Sequence, residues 1–150
     1  MSTRCATIVM ETMQRWGGPE TNELMRFYRH CDGYPAGQGA DLAIAVKKVN
    51  DEGIDDNWCQ RFLAAYMAQE QTVEVEPKNV THDNLEYLYT VHGIQTRCDD
   101  DYSYDYSIEI TVYGIGWDES YESAMAQEPL FKGSAAELLD ALSEGKLERW

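Results

Sequence analysis

Residues 102–112 read Tyr-Ser-Tyr-Asp-Tyr-Ser-Ile-Glu-Ile-Thr-Val and alternate between apolar and polar side chains without a break. Strict alternation over this length predicts a β-strand with one buried and one exposed face. Residues 85–92 also predict a strand, with Leu85, Tyr87, Tyr89 and Val91 on one face and Glu86, Thr90 and His92 on the other. We expect the two strands to pair antiparallel through a loop at about 93–101.

The first half of the chain predicts another hairpin and two helices. Residues 3–10 and 23–30 are typical of strands, and the segment 16–22 between them contains Gly-Gly-Pro, which favours a turn. Apolar spacing predicts helices at about 40–50 and 56–70.

A further helix is predicted near the C-terminus. Ser134 and Glu137 have the spacing of a capping box, and Gly145 fits the end of that helix. The resulting order is β-β-α-α-β-β-α. We therefore predict a single α+β domain over residues 1–150, in which an antiparallel sheet carries its helices on one face.

The composition indicates a folded protein. The chain has 150 residues, of which 43% are hydrophobic, and this is enough for one core. No apolar run approaches the roughly 20 residues that span a bilayer, and no signal-type segment opens the sequence, so we predict a cytoplasmic protein without a membrane partner. The four cysteines form no Cys-x-x-Cys pair, which favours idle thiols over disulfides.

The charge is strongly negative and unevenly distributed. The net charge is −15, and no Lys or Arg lies between Arg97 and Lys132, an interval of 34 residues that holds nine carboxylates. Such a field repels phosphate and attracts basic surfaces. We therefore expect no direct binding of nucleic acid.

These carboxylates are the candidate partner-binding residues. If the Tyr/Ile face of residues 102–112 packs on the helices, Asp105 and Glu109 point to solvent. The candidate set is Asp99, Asp100, Asp101, Asp105, Glu109, Asp118, Glu119 and Glu122. We expect the partner to be a basic nucleic-acid-binding protein or ribonucleoprotein complex; the alternative is an acidic face that only keeps the protein in solution.

Aromatic side chains interleave with the last acidic residues of this set. Tyr113, Trp117 and Tyr121 lie among them in the sequence, and exposed aromatics often anchor protein interfaces. The alternative is that they form the edge of the core.

A second cluster of polar residues lies at 28–35, Tyr-Arg-His-Cys-Asp-Gly-Tyr-Pro. His30 and Asp32 could form a general-base pair, although in an extended segment Cys31 points away from both. A metal site would require His30 and Asp32 to meet His82 and His92 through tertiary contacts. The structural alternative is a turn at Asp32-Gly33. No motif of an established enzyme class is present, so we assign no catalytic residue, metal ligand or cofactor.

The segments Thr3–Ile8 and Tyr28–Pro35 resemble a family of uncharacterised small proteins from phages, prophages and plasmids. The likeness covers roughly the first 45 residues, and Cys5 stands where the pattern has Ala. The family has no established activity, so it assigns no site residues. The resemblance implies a mobile-element origin, and small acidic proteins of such elements include anti-restriction and anti-CRISPR inhibitors, some of them DNA mimics.

By that analogy we expect a non-enzymatic inhibitor of a nucleic-acid-binding defence complex in the bacterial host. Two alternatives remain at this point. One is a small hydrolase-like or metal-dependent enzyme centred on His30 and Asp32. The other is a structural or regulatory phage protein whose charge serves only solubility.

Overall fold

The computed structural model describes residues 3–69, 72–100 and 102–147. Six strands lie within these ranges: β1 (Cys5–Arg15), β2 (Gly18–Arg29), β3 (Glu74–Glu76), β4 (Tyr87–Arg97), β5 (Tyr104–Gly114) and β6 (Phe131–Gly133). The same ranges contain four α-helices: α1 (Ala40–Glu52), α2 (Trp58–Met67), α3 (Tyr121–Met125) and α4 (Ala135–Ser143). The predicted α+β class and the predicted order of the longer elements are confirmed. Four short elements are additional: β3, α3, β6 and a π-helical turn at Pro35–Gly39 that leads into α1.

The six strands form one mixed sheet in the order β3-β2-β1-β4-β5-β6. Neighbouring strands are antiparallel except at the centre, where β1 and β4 run parallel. Both predicted hairpins are present, but the expectation of an entirely antiparallel sheet is wrong at this central pair. Cys5 of β1 lies opposite Arg29 at the end of β2 and opposite Tyr87 at the start of β4, so the segment that joins β2 to β4 begins and ends at the same end of the sheet. This segment contains α1 and α2.

The main core lies between one face of the sheet and the helices α1, α2 and α4. It contains Val9, Tyr89 and Ile110 from the sheet together with Phe62 and Leu138 from the helices, all of them buried. The predicted placement of helices on one face therefore holds for the three longest helices.

The short helix α3 lies on the opposite face. Its residues Tyr121 and Ala124 form a smaller buried cluster with Ala6, Ile8 and Leu88. The rest of this second sheet face lacks a helical layer among the described residues, and we call it the open face.

Strand β4 is longer than the sequence indicates. We expected a loop at about 93–101, but the strand continues through Gly93 to Arg97 and the connection is only residues 98–103. Gly93 is required for packing, since a Cβ atom at this position would collide with the indole ring of Trp58 in α2. Similarly, the predicted turn at 16–22 shrinks to Trp16 and Gly17 because β2 starts at Gly18.

Strand β5 extends beyond the helical layer. Its apolar face is buried at Ile108, Ile110 and Val112. Tyr104 is 40% exposed, and Tyr102, which we expected inside the strand, precedes it and is 92% exposed. The predicted burial of one whole face is therefore correct only for the second half of the strand.

The predicted start of α4 is confirmed in atomic detail. The amide of Glu137 donates to Ser134 Oγ at 3.2 Å, and the amide of Ser134 donates to Glu137 Oε1 at 3.0 Å. Gly145 follows the helix with a φ of 72°, a left-handed conformation that glycine adopts without strain. In the described part of the chain, no helix is both long enough and apolar enough to cross a membrane.

We predict that Gly93→Ala lowers the free energy of unfolding by roughly 1–3 kcal/mol, because the added methyl group must displace the Trp58 ring. Gly17→Ala is the control, since a Cβ atom at Gly17 has no neighbour within 4 Å. Its effect should stay within about 0.5 kcal/mol. Urea unfolding of the two variants measures the difference, and equal stabilities would contradict the packing assigned to Trp58.

Candidate functional site

The structure separates the candidate carboxylates into two groups at opposite ends of β5. Asp99, Asp100 and Asp105, which we call the loop carboxylates, lie in the β4–β5 connection and at the start of β5. The α3 carboxylates Asp118, Glu119 and Glu122 lie beyond the other end of the strand, in and just before α3.

Two of the candidate residues belong to neither group. Glu109 lies in the middle of β5, and Asp101 lies outside the described residues. At the usual rise per residue, the residues of β5 from first to last span about 34 Å. The candidate set is therefore not one continuous surface.

Asp100 organises the β4–β5 connection. Its Oδ1 atom accepts hydrogen bonds from the amide of Tyr102 at 3.0 Å, the amide of Ser103 at 3.1 Å and Ser103 Oγ at 3.0 Å. These bonds lower the pKa of Asp100, the largest cause being the amide of Tyr102. The Asp100 carboxylate thus holds the backbone of Tyr102 and Ser103, just before β5.

Asp105 lies on the open face of the sheet and is exposed, as the alternation predicted. It pairs with Thr96 of β4. In the described residues no ion pair joins Asp99, Asp100 or Asp105 to a basic group. Among the described residues, the loop carboxylates are therefore not neutralised by a direct ion pair.

Glu109 differs from its neighbours because it is partly neutralised. Its side chain is 34% exposed, and its Oε1 atom lies 3.8 Å from Nζ of Lys132 on β6. On β4 it pairs with His92, whose Nε2 lies 2.7 Å from Thr12 Oγ1. Burial lowers the pKa of His92, while the Glu109 charge opposes that shift. The charge of Glu109 is therefore partly offset by Lys132, whereas Asp105 forms no ion pair with a described residue.

Glu119 has a local structural role in the α3 group. Its Oε1 atom accepts from the amide of Gly116 at 3.0 Å, and its Oε2 atom accepts from Ser123 Oγ at 2.8 Å. Both bonds lower the pKa of Glu119, the amide of Gly116 most. Asp118 and Glu122 are exposed and, among the described residues, have no basic partner.

The aromatic residues near α3 divide between core and surface. Tyr121 is buried, and the guanidinium of Arg26 lies 5.1 Å from its ring centroid. Tyr113 packs against the smaller buried cluster. Trp117 is 68% exposed, so one of the three residues is available to a partner.

A second set of exposed aromatics lies with the loop carboxylates, and sequence reasoning missed its main member. Because β1 and β4 run parallel, the turn after β1 and the connection after β4 lie at the same end of the sheet. Trp16 is fully exposed there. It lines a cleft of about 680 Å³ with Arg15, Arg97 and Tyr104. We call this region, with Tyr102 and the loop carboxylates, the hairpin end.

The hairpin end combines the residue types that dominate protein interfaces. Binding hot spots are enriched in Trp, Tyr and Arg, and Trp16, Tyr102 and Tyr104 are exposed beside the loop carboxylates. The exposure of the Trp16 side chain was predictable from the sequence, since a Trp in a glycine-rich turn buries little surface. We interpreted that segment only as a turn.

The alternative site at residues 28–35 does not assemble as a catalytic pair. His30 Nδ1 lies 3.0 Å from the hydroxyl of Tyr28, whereas Asp32 Oδ2 lies 4.0 Å from the guanidinium of Arg29. Asp32 has a φ of 59°, and a Cβ atom at Gly33 would collide with the backbone of residues 3–5. The segment is a tight turn that packs against the start of β1.

The three histidines do not form a common site, although His30 and His82 both contact Tyr28. His82 stacks on Tyr28 with ring centroids 4.0 Å apart and lies 2.7 Å from Glu76 Oε1, while His92 bonds Thr12 on the open face. Within residues 3–69, 72–100 and 102–147, no group of three or more His, Cys, Asp or Glu side chains is placed to hold a metal ion.

The remainder of this motif is bound to a buried polar network. Gln38, which is fully buried, accepts from Arg29 Nη1 and from the hydroxyl of Tyr66, both at 2.7 Å, and donates to Thr7 Oγ1 at 3.0 Å. Arg29 Nη1 also donates to Asp41 at 2.6 Å. A cleft of about 430 Å³ borders Arg29 and Asp41, but the two side chains satisfy each other. This arrangement is typical of a structural network.

We predict that Gln38→Leu lowers the free energy of unfolding by about 1–3 kcal/mol, because the buried hydroxyl of Tyr66 loses its acceptor and Arg29 Nη1 keeps only Asp41. Gln60→Leu is a matched control at an exposed position of α2 and should change stability by less than about 0.5 kcal/mol. Urea denaturation measures both. A Gln38→Leu protein as stable as the control would show that the network is not required for the fold.

Comparison with known proteins supplies no family for these features. No family model, no curated protein and no solved structure matches the chain. The function must therefore be argued from the charge and geometry described above.

Proposed function

We propose that this protein is a non-enzymatic binding protein whose hairpin end occupies a basic, nucleic-acid-binding surface of a partner protein or ribonucleoprotein. The observation that carries the proposal is the charge of Asp99, Asp100 and Asp105, which form no ion pair with a described residue, beside the exposed rings of Trp16 and Tyr104. Carboxylates attract and orient a basic partner, and aromatic side chains supply contact area at low entropic cost.

We further propose that the chain comes from a mobile element, as the expected likeness of roughly its first 45 residues implies, and this origin favours one class of partner. Defence complexes of a bacterial host, such as restriction enzymes and CRISPR effectors, present Lys and Arg to nucleic acid. A protein that covers such a surface prevents the nucleic acid from binding. On this proposal the protein is an inhibitor of host defence, acting in the host cytoplasm.

The spacing of the charges favours a local anchor over an extended copy of DNA. Duplex DNA carries one charge per about 1.7 Å of its axis, whereas residues on one face of a strand are roughly 6.5–7 Å apart. Along β5, Asp105 forms no ion pair with a described residue but Glu109 is paired with Lys132. A partner that also contacts the α3 carboxylates would have to reach across about 34 Å, close to one turn of DNA.

The rival enzyme has less structural support. An imidazole needs a carboxylate partner to act as an oriented general base, and His30 bonds Tyr28 instead of Asp32. The third possibility, a protein whose charge serves only solubility, differs from our proposal in one testable respect. It predicts that the location of the carboxylates is unimportant.

Three double variants with the same net charge test the proposal. Each replaces two exposed carboxylates by lysine and changes the net charge from −15 to −11, because every replacement changes it by two units. The first is Asp99→Lys with Asp105→Lys, and the second is Asp118→Lys with Glu122→Lys. The control, Glu74→Lys with Asp140→Lys, changes β3 and α4, away from both groups.

Immobilised protein is incubated with lysate of a bacterial host, and retained proteins are identified by mass spectrometry at about 50 and 200 mM salt. We expect the unmodified chain to retain a nucleic-acid-binding protein that elutes as salt rises. We expect the first variant to retain at least about tenfold less of this protein, and the control variant to retain as much as the unmodified chain. Equal loss in all three variants, or retention that salt does not weaken, would contradict the proposal.

A further inference from the structure

The outer edge of β5 is open along the first half of the strand. β6 pairs only with Ile110, Thr111 and Val112, so residues 104–109 have β4 on one side and, among the described residues, no strand on the other. An unpaired edge presents backbone donors and acceptors that can bind an additional strand.

The hydrogen bonding of β6 shows which residues present these groups. The carbonyl of Val112 accepts from the amide of Leu130 at 2.8 Å on the outer side of β5. Backbone groups alternate between the two edges of a strand, so Tyr104, Tyr106 and Ile108 also direct their N–H and C=O groups outward. In the part of the chain that the structure describes, no other segment hydrogen bonds to these groups.

The opposite edge of the sheet is less suited to accept a strand. β2 is paired there with β3 only at residues 26–28, but Pro19 lacks an N–H donor near its start. Glu23 accepts from the amide of Asn79, and Arg26 donates to the carbonyl of Val80, so a loop approaches this edge.

The side chains of the open edge indicate the chemistry of an added strand. Asp105 and Glu109 lie on the open face, whereas Tyr106 and Ile108 lie on the helical face. A neighbouring strand lies about 4.7–4.9 Å away with the same alternation. Its residues would therefore face carboxylates on one side and apolar groups on the other.

A second copy of the chain is a poor occupant because edge-to-edge pairing would bring two sets of carboxylates together, and opposed like charges destabilise a sheet. We propose that the free edge of β5, residues 104–109, binds an extended segment of the partner in which Lys or Arg alternates with apolar residues. This inference rests on the proposed function and specifies how the partner docks.

The probe is a peptide of alternating lysine and valine that is long enough to pair with residues 104–109. A glutamate–valine peptide of the same length is its control. Amide hydrogen exchange is followed by NMR with each peptide. We expect the lysine peptide to slow exchange at the outward amides of Tyr104, Tyr106 and Ile108. The glutamate peptide should leave these rates unchanged, since Asp105 repels it.

Two variants of Tyr104 separate the contribution of its backbone N–H to peptide binding from that of its side chain. Tyr104→Pro removes an outward N–H, and proline is tolerated at such edge positions. Tyr104→Ala removes the same ring but keeps the N–H. We expect the proline variant to bind the lysine peptide about threefold to tenfold more weakly than the alanine variant, the effect of one hydrogen bond. NMR spectra of both free proteins verify that the sheet is intact.

The failures of this inference and of the proposed function are distinguishable. Equal affinity of the two Tyr104 variants, slowed exchange away from residues 104–109, equal binding of both peptides, or self-association through this edge would each overturn strand addition. Salt-sensitive capture that depends on Asp99 and Asp105 would still support the proposed function. Conversely, slower amide exchange with the lysine peptide but no retained host protein would support the edge site. That result would contradict the proposal that the partner is a host defence complex.

Discussion

The parallel pairing of β1 with β4 is the constraint on which the rest of the structure depends. It runs from Cys5 opposite Tyr87 to Thr12 opposite Ile94 and joins two hairpins that are otherwise independent. The segment that joins β2 to β4 carries α1 and α2 over one face of the sheet, where they form the main core together with α4. Because both strands run in the same direction, their C-terminal ends meet at one end of the sheet. That geometry places Trp16 beside the β4–β5 connection.

The segment between β2 and α1 shows how a sequence motif with catalytic residue types serves the fold. Gln38 connects β1, β2 and α2 through Thr7, Arg29 and Tyr66. The hydroxyl of Tyr89 in β4 donates to the carbonyl of Gly33 at 2.6 Å. Buried polar groups that are fully hydrogen bonded fix one arrangement and penalise the others. The motif at residues 28–35 thus stabilises the start of the connection from β2 to β4. The features suited to binding lie at the hairpin end, at the opposite end of the sheet.

Local patterns predicted the elements that depend on local physics. The alternation of residues 102–112 predicted β5 and the exposure of Asp105, and the capping box predicted α4. Features that depend on distant contacts were not predictable: the parallel central pair, the extension of β4 through Gly93 under Trp58, and the position of Trp16. Glu109 illustrates both cases. The alternation predicted correctly which face of the sheet it lies on. Its ion pair with Lys132 was not predictable, because it depends on β6, a strand of three residues with no sequence signal. The split of the carboxylates into two groups follows from the length of β5.

Carbodiimide coupling of the retained complex tests most directly the claim that the loop carboxylates contact the partner. This reagent joins a carboxylate to a lysine amine only where the two are in contact, and mass spectrometry identifies the joined peptides. We predict that Asp99 or Asp105 is joined to lysines of the partner's nucleic-acid-binding surface. Coupling that occurs at Asp118 and Glu122 alone, or equally at distant carboxylates such as Glu74 and Asp140, would contradict the account.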